Sequence, residues 1–434
     1  MRVLVAGGGV AGAACAVALA RIGAQVTVAE AYEDAAGGGG AKVAGSGGAK
    51  VGGSGGARLG GPGREEVTDP NCAKVAGPDG VRLGGPGGEE VGRAPGSFVS
   101  LAANGLRGLE VLGCLDAVRA AGFAVPRQRM WAGNGKLLGD VPRGRTGADP
   151  MISVTLMRAD LVSALRAEAT RAGARIVTGQ PVTAAGLAAA RADGVDLVVG
   201  ADGIWSATRP WLDPDAPVPA YAGQYSVSGV SRGLGLEPGS WNLIYGRPGA
   251  FIYLPAPDGS VWWSAQVSAP EPPGPDDGRL DRLTGLYAGE DRAASILRAA
   301  DSLHGLTRHH VLAPVPRWHD DRTVLVGDAA HPVGAGQGAS MAIEDAIVLA
   351  QQLRAAGSVA AGLAGYDERR RARVAKMART AAANRDAKVA GPVAARMRNL
   401  IMPIMVPRFF EKSTAWLYAY DPGTLTGAGA GVAT

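Results

Sequence analysis

Two glycine-rich turns hold the residues whose types and spacing can do chemistry. The first, Gly7-Gly8-Gly9-Val10-Ala11-Gly12, has Gly-x-Gly-x-x-Gly spacing. Between a strand and a helix, such a turn brings a pyrophosphate to the helix N-terminus. Gly7 permits the tight turn, Gly9 lets the phosphates approach, and Gly12 lets helix and strand pack closely. Glu30, at the end of the following strand, can accept ribose hydroxyls. The second turn lies in residues 324–346, VLVGDAAHPVGAGQGASMAIEDA. Gly334, Gly336 and Gly338 remove side chains where the backbone must turn and lie close to a ligand, and a helix starting behind them presents free amides to an anion.

The elements that must position these turns follow from local patterning. Residues 3–6 and 25–29 are short apolar strands, and residues 13–22 between them have helix-forming composition up to Gly23. Residues 323–326 are β-branched and apolar, as a buried strand requires. Beyond them Met341, Ile343, Ile347 and Leu353 recur at helical spacing, with Glu344 and Asp345 early and Gly357 after the end. Leu106, Leu109 and Leu112 predict a helix, and Leu161, Ala164 and Leu165 predict another that starts at Arg158. Residues 175–178 and 196–200 read as strands, the second running into Ala201-Asp202-Gly203. From residue 218 the character is antiparallel β: 225–231, 241–245, and a hairpin from 251–254 through Pro257-Asp258-Gly259 to 261–267. Trp262 and Trp263 face opposite sides of their strand, so one of them either lines a pocket or joins the core. Residues 366–379 form a strongly basic helix, read as a solvated face. Residues 397–420 are rich in large apolar side chains, are interrupted by Pro403 and Pro407, and are expected to dock on the body of the protein.

Composition bounds the function classes. With 434 residues, 47% of them apolar, the chain can bury the cores of two or three domains. The net charge of +5 comes from scattered arginines, with no Lys/Arg tract, so no nucleic-acid partner is expected. Cys15, Cys72 and Cys114 lack Cys-x-x-Cys spacing, and His304, His309, His310 and His319 lack metal spacing. Neither a disulfide framework nor a metal site follows, and a reducing cytoplasm fits. The apolar run from residue 3 to 20 imitates a secretory signal, but three consecutive glycines would break a signal helix. No stretch reaches the roughly 20 unbroken apolar residues of a membrane span, so no stable membrane insertion is expected. Residues 37–95 turn abruptly to Gly, Ala, Lys, Val and Pro with short near-repeats such as AKVAGSGG and AKVGGSGG. So much glycine cannot bury enough surface to offset its ordering entropy, and a mobile surface insertion is expected. A repeat that stacks on itself or covers the active site is the alternative.

The fingerprint at Gly7, ADGIWSATR at Ala201 and GDAAHP at Gly327 stand in an order that resembles the single-component FAD-dependent aromatic monooxygenases of the p-hydroxybenzoate and salicylate hydroxylase type. PAPDGSVWW at Pro255 is similar to a hairpin of the salicylate hydroxylase branch. The resemblance implies an α/β protein: a Rossmann-like FAD-binding domain with an inserted antiparallel β-sheet substrate domain and a C-terminal helical segment. The expected division is 1–36 and 96–210 for the cofactor domain, with a small substrate-domain excursion near 125–150. It continues with 211–315 for the sheet, 316–360 for the cofactor domain again, and 361–434 for the C-terminal helices and tail.

By the same resemblance FAD lies on Gly7, Gly9, Gly12 and Glu30, with Arg158 near its ribityl and phosphate portion and the backbone of Val182 near adenine. Asp202 serves the pyrophosphate region and the approach of the nicotinamide, although an Asp before Gly is also a turn former. Asp328 binds the ribityl hydroxyls, and amides around Gly336, Gln337 and Gly338 stabilise the anionic reduced flavin. NADPH or NADH reduces the flavin, O2 adds to give a flavin hydroperoxide, and one oxygen atom passes to a phenolic or polycyclic aromatic small molecule. No side-chain nucleophile is required. Baeyer-Villiger oxygenation or epoxidation on the same fold, and a non-catalytic flavin-binding scaffold, are the alternative readings. The chain departs from its relatives where Gly336 closely follows His331, where Gly334 and Ala335 stand in place of proline, and where Ala103-Asn104 replaces Pro-Asn. The oligomeric state is not legible.

Overall fold

The computed structural model describes residues 1–33, 41–42, 97–334, 336–388 and 391–425. The readings of the 37–95 insertion and of Cys72 lie outside the described residues, except that Ala41–Lys42 pairs antiparallel with the strand Ala300–Val311.

Among the described residues, a five-stranded parallel sheet has Arg2–Ala6 at its centre. Gln25–Ala29 and Leu197–Gly200 flank it, and Arg175–Val177 and Thr323–Leu325 form the edges. These strands read as unbroken apolar runs because helices cover both faces of a parallel sheet; Val5, Val28, Leu197, Val199, Val324 and Leu325 are buried. The helix Val10–Arg21 connects the first two strands and packs on the helix Gly338–Ala355. It begins three residues before the apolar pattern suggested, because Gly9 already occupies its N-cap. A three-stranded sheet of Phe98–Leu101, Val154–Met157 and Phe123–Ala124 lies beside this unit.

The second large sheet is antiparallel apart from one parallel pair, Ser240–Tyr245 with Arg127–Ala132. Its two faces separate with period two, as alternation along a strand requires. Tyr225, Val227, Phe251, Tyr253, Trp263 and Ala265 point toward the helices Leu280–Leu286 and Asp291–Arg298, where Tyr287 donates to the Gln266 carbonyl at 2.7 Å. Met130, Trp241, Leu243, Ala250 and Ile252 occupy the other face, with Met402, Val406 and Phe410 packed on them.

Two expectations are corrected at the C-terminal end. The basic run belongs to the helix Val359–Lys388, but Arg370 is fully buried and not solvated. Its partners, Glu344 and Asp345, sit on a neighbouring helix that a local charge count does not see. Pro403 and Pro407 do not interrupt the last helix, which runs through both as Pro392–Tyr418. An internal proline costs a helix roughly 3 kcal/mol, and here the packing of Met402, Val406, Phe410 and Leu417 offsets that loss. Among the described residues no helix is long and apolar enough to cross a membrane.

Candidate functional site

Each glycine of the first turn has a distinct geometric reason. Gly7 adopts φ +94°, donates its N–H to Ala29 at 2.8 Å, and would place a Cβ 2.6 Å from the Ala201 carbonyl oxygen. At Gly12 a Cβ would stand 1.8 Å from the Gly7 carbonyl oxygen, closer than any repacking allows. Gly9 differs: its φ of −70° suits any residue, and a Cβ there would meet nothing within 4 Å. The space above Gly9 is therefore open to a ligand, and the residue lines a cavity at the N-terminus of Val10–Arg21. Glu30 is buried and turned toward the loop. Its Oε2 accepts from Gly8 N–H at 2.7 Å and from Arg166 Nη2 at 3.0 Å, and Oε1 accepts from Tyr32 N–H at 3.1 Å. Arg166 also donates to the Gly8 carbonyl at 2.8 Å, an anchor of the turn that no motif announces.

The second turn is pressed against the first. Gly327 has φ +57°, a Cβ there would lie 2.9 Å from the Ala11 methyl, and its N–H donates to Asp345 Oδ2 at 2.9 Å. Arg209, at the end of ADGIWSATR, donates to the Ala329 carbonyl at 3.1 Å and to the Ile204 carbonyl at 2.8 Å, tying the two motifs together. Asp328 lines the cavity. Burial pushes its carboxyl up from the usual carboxylate range, and His331 and Arg158 oppose the shift. Gln337 is the N-cap of Gly338–Ala355 and has a buried Oε1 with no partner among the described residues.

Of the residues singled out from sequence, Gly9, Arg158, Asp328, Gly336, Gln337 and Gly338 come together on the wall of one cavity. Gly7, Gly12 and Glu30 stand behind that wall. Asp202 caps a helix: its Oδ2 accepts from Ala207 N–H, Thr208 N–H and Thr208 Oγ1, each at 2.9 Å. Its Oδ1 is buried without a partner among the described residues, and the flanking Ala201 and Gly203 line the cavity. Val182 sits in the loop before the helix Ala184–Ala192 and does not line it.

The cavity encloses about 1690 Å³, more than the roughly 300–1,000 Å³ of an ordinary small-molecule pocket. That volume has room for a dinucleotide and a second molecule. The unpartnered Gln337 Oε1 and the void over Gly9 fit such a cofactor. The remaining wall comes from the antiparallel sheet and the last helix, with Trp241, Leu243, Ile252, Met402 and Phe410 among its residues. Neither adjacent tryptophan takes the pocket role. Trp263 is fully buried on the far face with its indole N–H on Ser231 Oγ at 2.8 Å, and Trp262 packs on Phe123 at 5.0 Å. Trp241, two strands away in the same sheet, lines the cavity instead.

Behind the second turn lies a buried charge cluster. Arg370 donates to Glu344 Oε2 through Nη1 and to Asp345 Oδ1 through Nε, both at 2.7 Å, and Arg373 and Asn104 also reach Glu344. His331 Nε2 lies 2.6 Å from Asp345 Oδ2. Burial pushes the Asp345 carboxyl up, but His331, Arg370 and the Gly327 N–H outweigh it and hold it down at about 2. A carboxyl depressed in the fold stabilises the protein fully above its unfolded value near 4, and that contribution is lost as pH falls toward 2. The Asp345→Asn variant is therefore expected to melt well below wild type at neutral pH. The gap should narrow between about pH 4 and pH 2 in thermal melts across a pH series.

Comparison with known proteins places this geometry in context. The family described as FAD binding domain matches residues 106–381. The chain is 31% identical over 292 residues to the aurachin C monooxygenase/isomerase of Stigmatella aurantiaca, covering 62% of this chain and 74% of that protein. It is also 31% identical to 3-hydroxybenzoate 6-hydroxylase 1 of Aquipseudomonas alcaligenes over 52% of this chain and 59% of that protein, less than two thirds of its length. In three dimensions it superposes on Klebsiella pneumoniae HpxO complexed with FAD and uric acid at a TM-score of 0.72, with 20% identity and 98% of each chain covered, a likeness of fold.

Proposed function

The chain belongs to the FAD binding domain family and is an FAD-dependent monooxygenase, and from that premise we propose that it uses NADPH or NADH and O2 to place one oxygen atom on a phenolic or polycyclic aromatic small molecule. The observation that carries this reading is the continuity of one cavity from the phosphate-accepting helix N-terminus at Gly9, past Asp328 and Gly336, to the apolar wall at Trp241 and Ile252. Bound FAD supplies the acceptance of hydride and the activation of O2.

The chain's own residues supply placement and field. The void at Gly9 takes the pyrophosphate on the amides of Val10–Arg21, with Arg158 as a nearby cation. Asp328 points its carboxyl into the cavity as an acceptor for ribityl hydroxyls. The N-terminus of the 18-residue helix Gly338–Ala355 sets a positive potential at the cavity edge, suited to negative charge on a reduced ring. Leu243, Ile252, Met402 and Phe410 keep water from the reacting region. No side chain of the wall has to act as a nucleophile. Cys15 and Cys114 are buried and free, with thiols raised by burial, that of Cys114 to about 12; they suit a reducing cytoplasm and take no part in the chemistry.

The purified protein is expected to be yellow, to release FAD on denaturation, and to consume O2 in step with NAD(P)H oxidation when a suitable aromatic compound is added. An oxygen electrode and absorbance at 340 nm, run over a set of phenols, quinolones and hydroxybenzoates, check it. A colourless chain that takes up no FAD, or nicotinamide oxidation without O2 uptake across the whole set, overturns the reading.

A further inference from the structure

Arg143 stands on the substrate wall of the cavity without a counter-ion. It follows the strand Leu137–Pro142, and its backbone is pinned on both sides: its N–H donates to the Pro126 carbonyl at 2.9 Å, and its carbonyl accepts from Ser153 Oγ at 2.8 Å. The next residue, Gly144, has φ +62° and accepts from Ala103 N–H at 2.8 Å, which fixes where the side chain leaves the loop. The guanidinium lies over the Trp241 ring, 4.2 Å from its centroid, and Nη1 donates to Gln128 Oε1 at 2.6 Å. Both contacts are neutral. Among the described residues no carboxylate pairs with Arg143, and Tyr418 is the one ionisable neighbour that favours its charge. Burial accordingly pushes the guanidinium below arginine's usual value.

An enclosed cation without a partner is costly, and proteins ordinarily neutralise it. Arg370, with Glu344 and Asp345, and Arg166, with Glu30, are handled that way, and the buried Arg209 is instead held by the Ala329 and Ile204 carbonyls. Arg143 keeps Nε and Nη2 without a protein hydrogen bond among the described residues, on a side chain that lines the cavity. Its flat stack on Trp241 and its tie to Gln128 hold the planar fork in one orientation, the arrangement that takes a carboxylate or an ionised ring oxygen edge-on. The apolar wall beside it, Met130, Leu243 and Phe410, takes the hydrocarbon part of the same molecule.

We propose that Arg143 is the specificity-determining residue of the substrate site, and that the substrate is an aromatic molecule bearing one negative charge, seated on the free edge of the Arg143 guanidinium beside Trp241. This rests on the monooxygenase reading, because only there is the wall around Trp241 a substrate wall. The negative charge comes either from a carboxylate or from an ionised ring oxygen, and the test separates the two.

Calorimetric titration of the protein as purified, wild type and Arg143→Met, with two matched pairs decides it: a hydroxybenzoate against its carboxamide, and a nitrophenol above its pKa against its methyl ether. Wild type is expected to bind the anion of one pair about 10- to 100-fold tighter than the neutral partner, the range of a hydrogen-bonded charge. In Arg143→Met that ratio should fall to near one, with the neutral compound's Kd within about twofold of wild type. Arg143→Lys should recover part of the preference, since it restores charge without the planar fork. The pair that shows the preference identifies the source of the charge. Equal affinities within both pairs in wild type, a preference that survives in Arg143→Met, or no heat with either anion overturns the proposal. So does a large loss of FAD affinity in Arg143→Met, which would put the residue on the cofactor. Calorimetry reads these outcomes whether or not O2 is consumed, so failure here is distinct from failure of the monooxygenase reading.

Discussion

The Gly12→Ala protein is expected to bind no FAD and to melt below wild type even before cofactor is added, whereas Gly9→Ala should fold normally and lose only the cofactor. The two residues share one motif, but their surroundings differ. A Cβ at Gly12 would stand 1.8 Å from the Gly7 carbonyl oxygen and 3.2 Å from Val5 Cγ1, so the obstacle is backbone. Helix and strand must move apart, at a cost of about 1–3 kcal/mol or more for an overpacked site. Such movement opens the contact between Val10–Arg21 and the central strand Arg2–Ala6. At Gly9 the added methyl meets nothing within 4 Å and the backbone angle is ordinary, so the chain without ligand should not register it. The methyl instead occupies space meant for phosphate, and the FAD Kd should rise at least tenfold, about 1.4 kcal/mol. Thermal melts of the apo and FAD-loaded forms with fluorescence titration of FAD separate the two effects. Equal apo melting temperatures for Gly12→Ala and wild type would contradict the packing role.

The contrast marks where sequence was informative. Strand, glycine turn, helix and strand from Arg2 to Ala29 are local in the chain, and Gly12 answers to Gly7 and Val5 within ten residues, so the elements were legible to within a few residues, although Gly7 also makes room for the distant Ala201 carbonyl. The antiparallel sheet was legible as alternation, but which face meets the cavity depends on what packs behind it. Trp262 and Trp263 differ by one position, and a helix packed on one face decides that Trp263 is core. Arg143, Gln128 and Trp241 converge through the pairing of strands more than a hundred residues apart in sequence, Trp241 standing opposite Gln128. No spacing rule reaches that far. Asp202 shows the limit in another way: the sequence does not announce that one of its carboxylate oxygens is taken by the Ala207 and Thr208 amides while the other has no partner among the described residues.

Arg370 is the clearest case of a residue whose role lay hidden in composition, and removing it should have the largest single effect on the fold. In the sequence it is one of three consecutive arginines in Arg369-Arg370-Arg371. In the structure it is fully buried and bridges the adjacent carboxylates Glu344 and Asp345. The Arg370→Met variant keeps much of the volume and removes the charge, leaving two buried carboxylates faced by Arg373, Asn104, His331 and the Gly327 N–H. Breaking one side of a buried pair costs about 3–5 kcal/mol, because the remaining charge stays desolvated. A sharp fall in melting temperature is expected. The loss should be non-additive: Glu344→Gln combined with Arg370→Met should be less destabilised than the sum of the two single changes, since the second change removes part of what the first left unpaired. The damage also reaches the cavity. Asp345 accepts from the Gly327 N–H and from His331 with the oxygen that Arg370 does not bind. Without Arg370 its carboxyl should titrate at higher pH, so protonation would weaken the hold on the turn that presents Asp328. FAD retention in Arg370→Met should therefore fail at a higher pH than in wild type as solutions are acidified. Identical pH profiles of FAD release in the two proteins would show that the charge cluster stabilises the helices without positioning the cofactor turn.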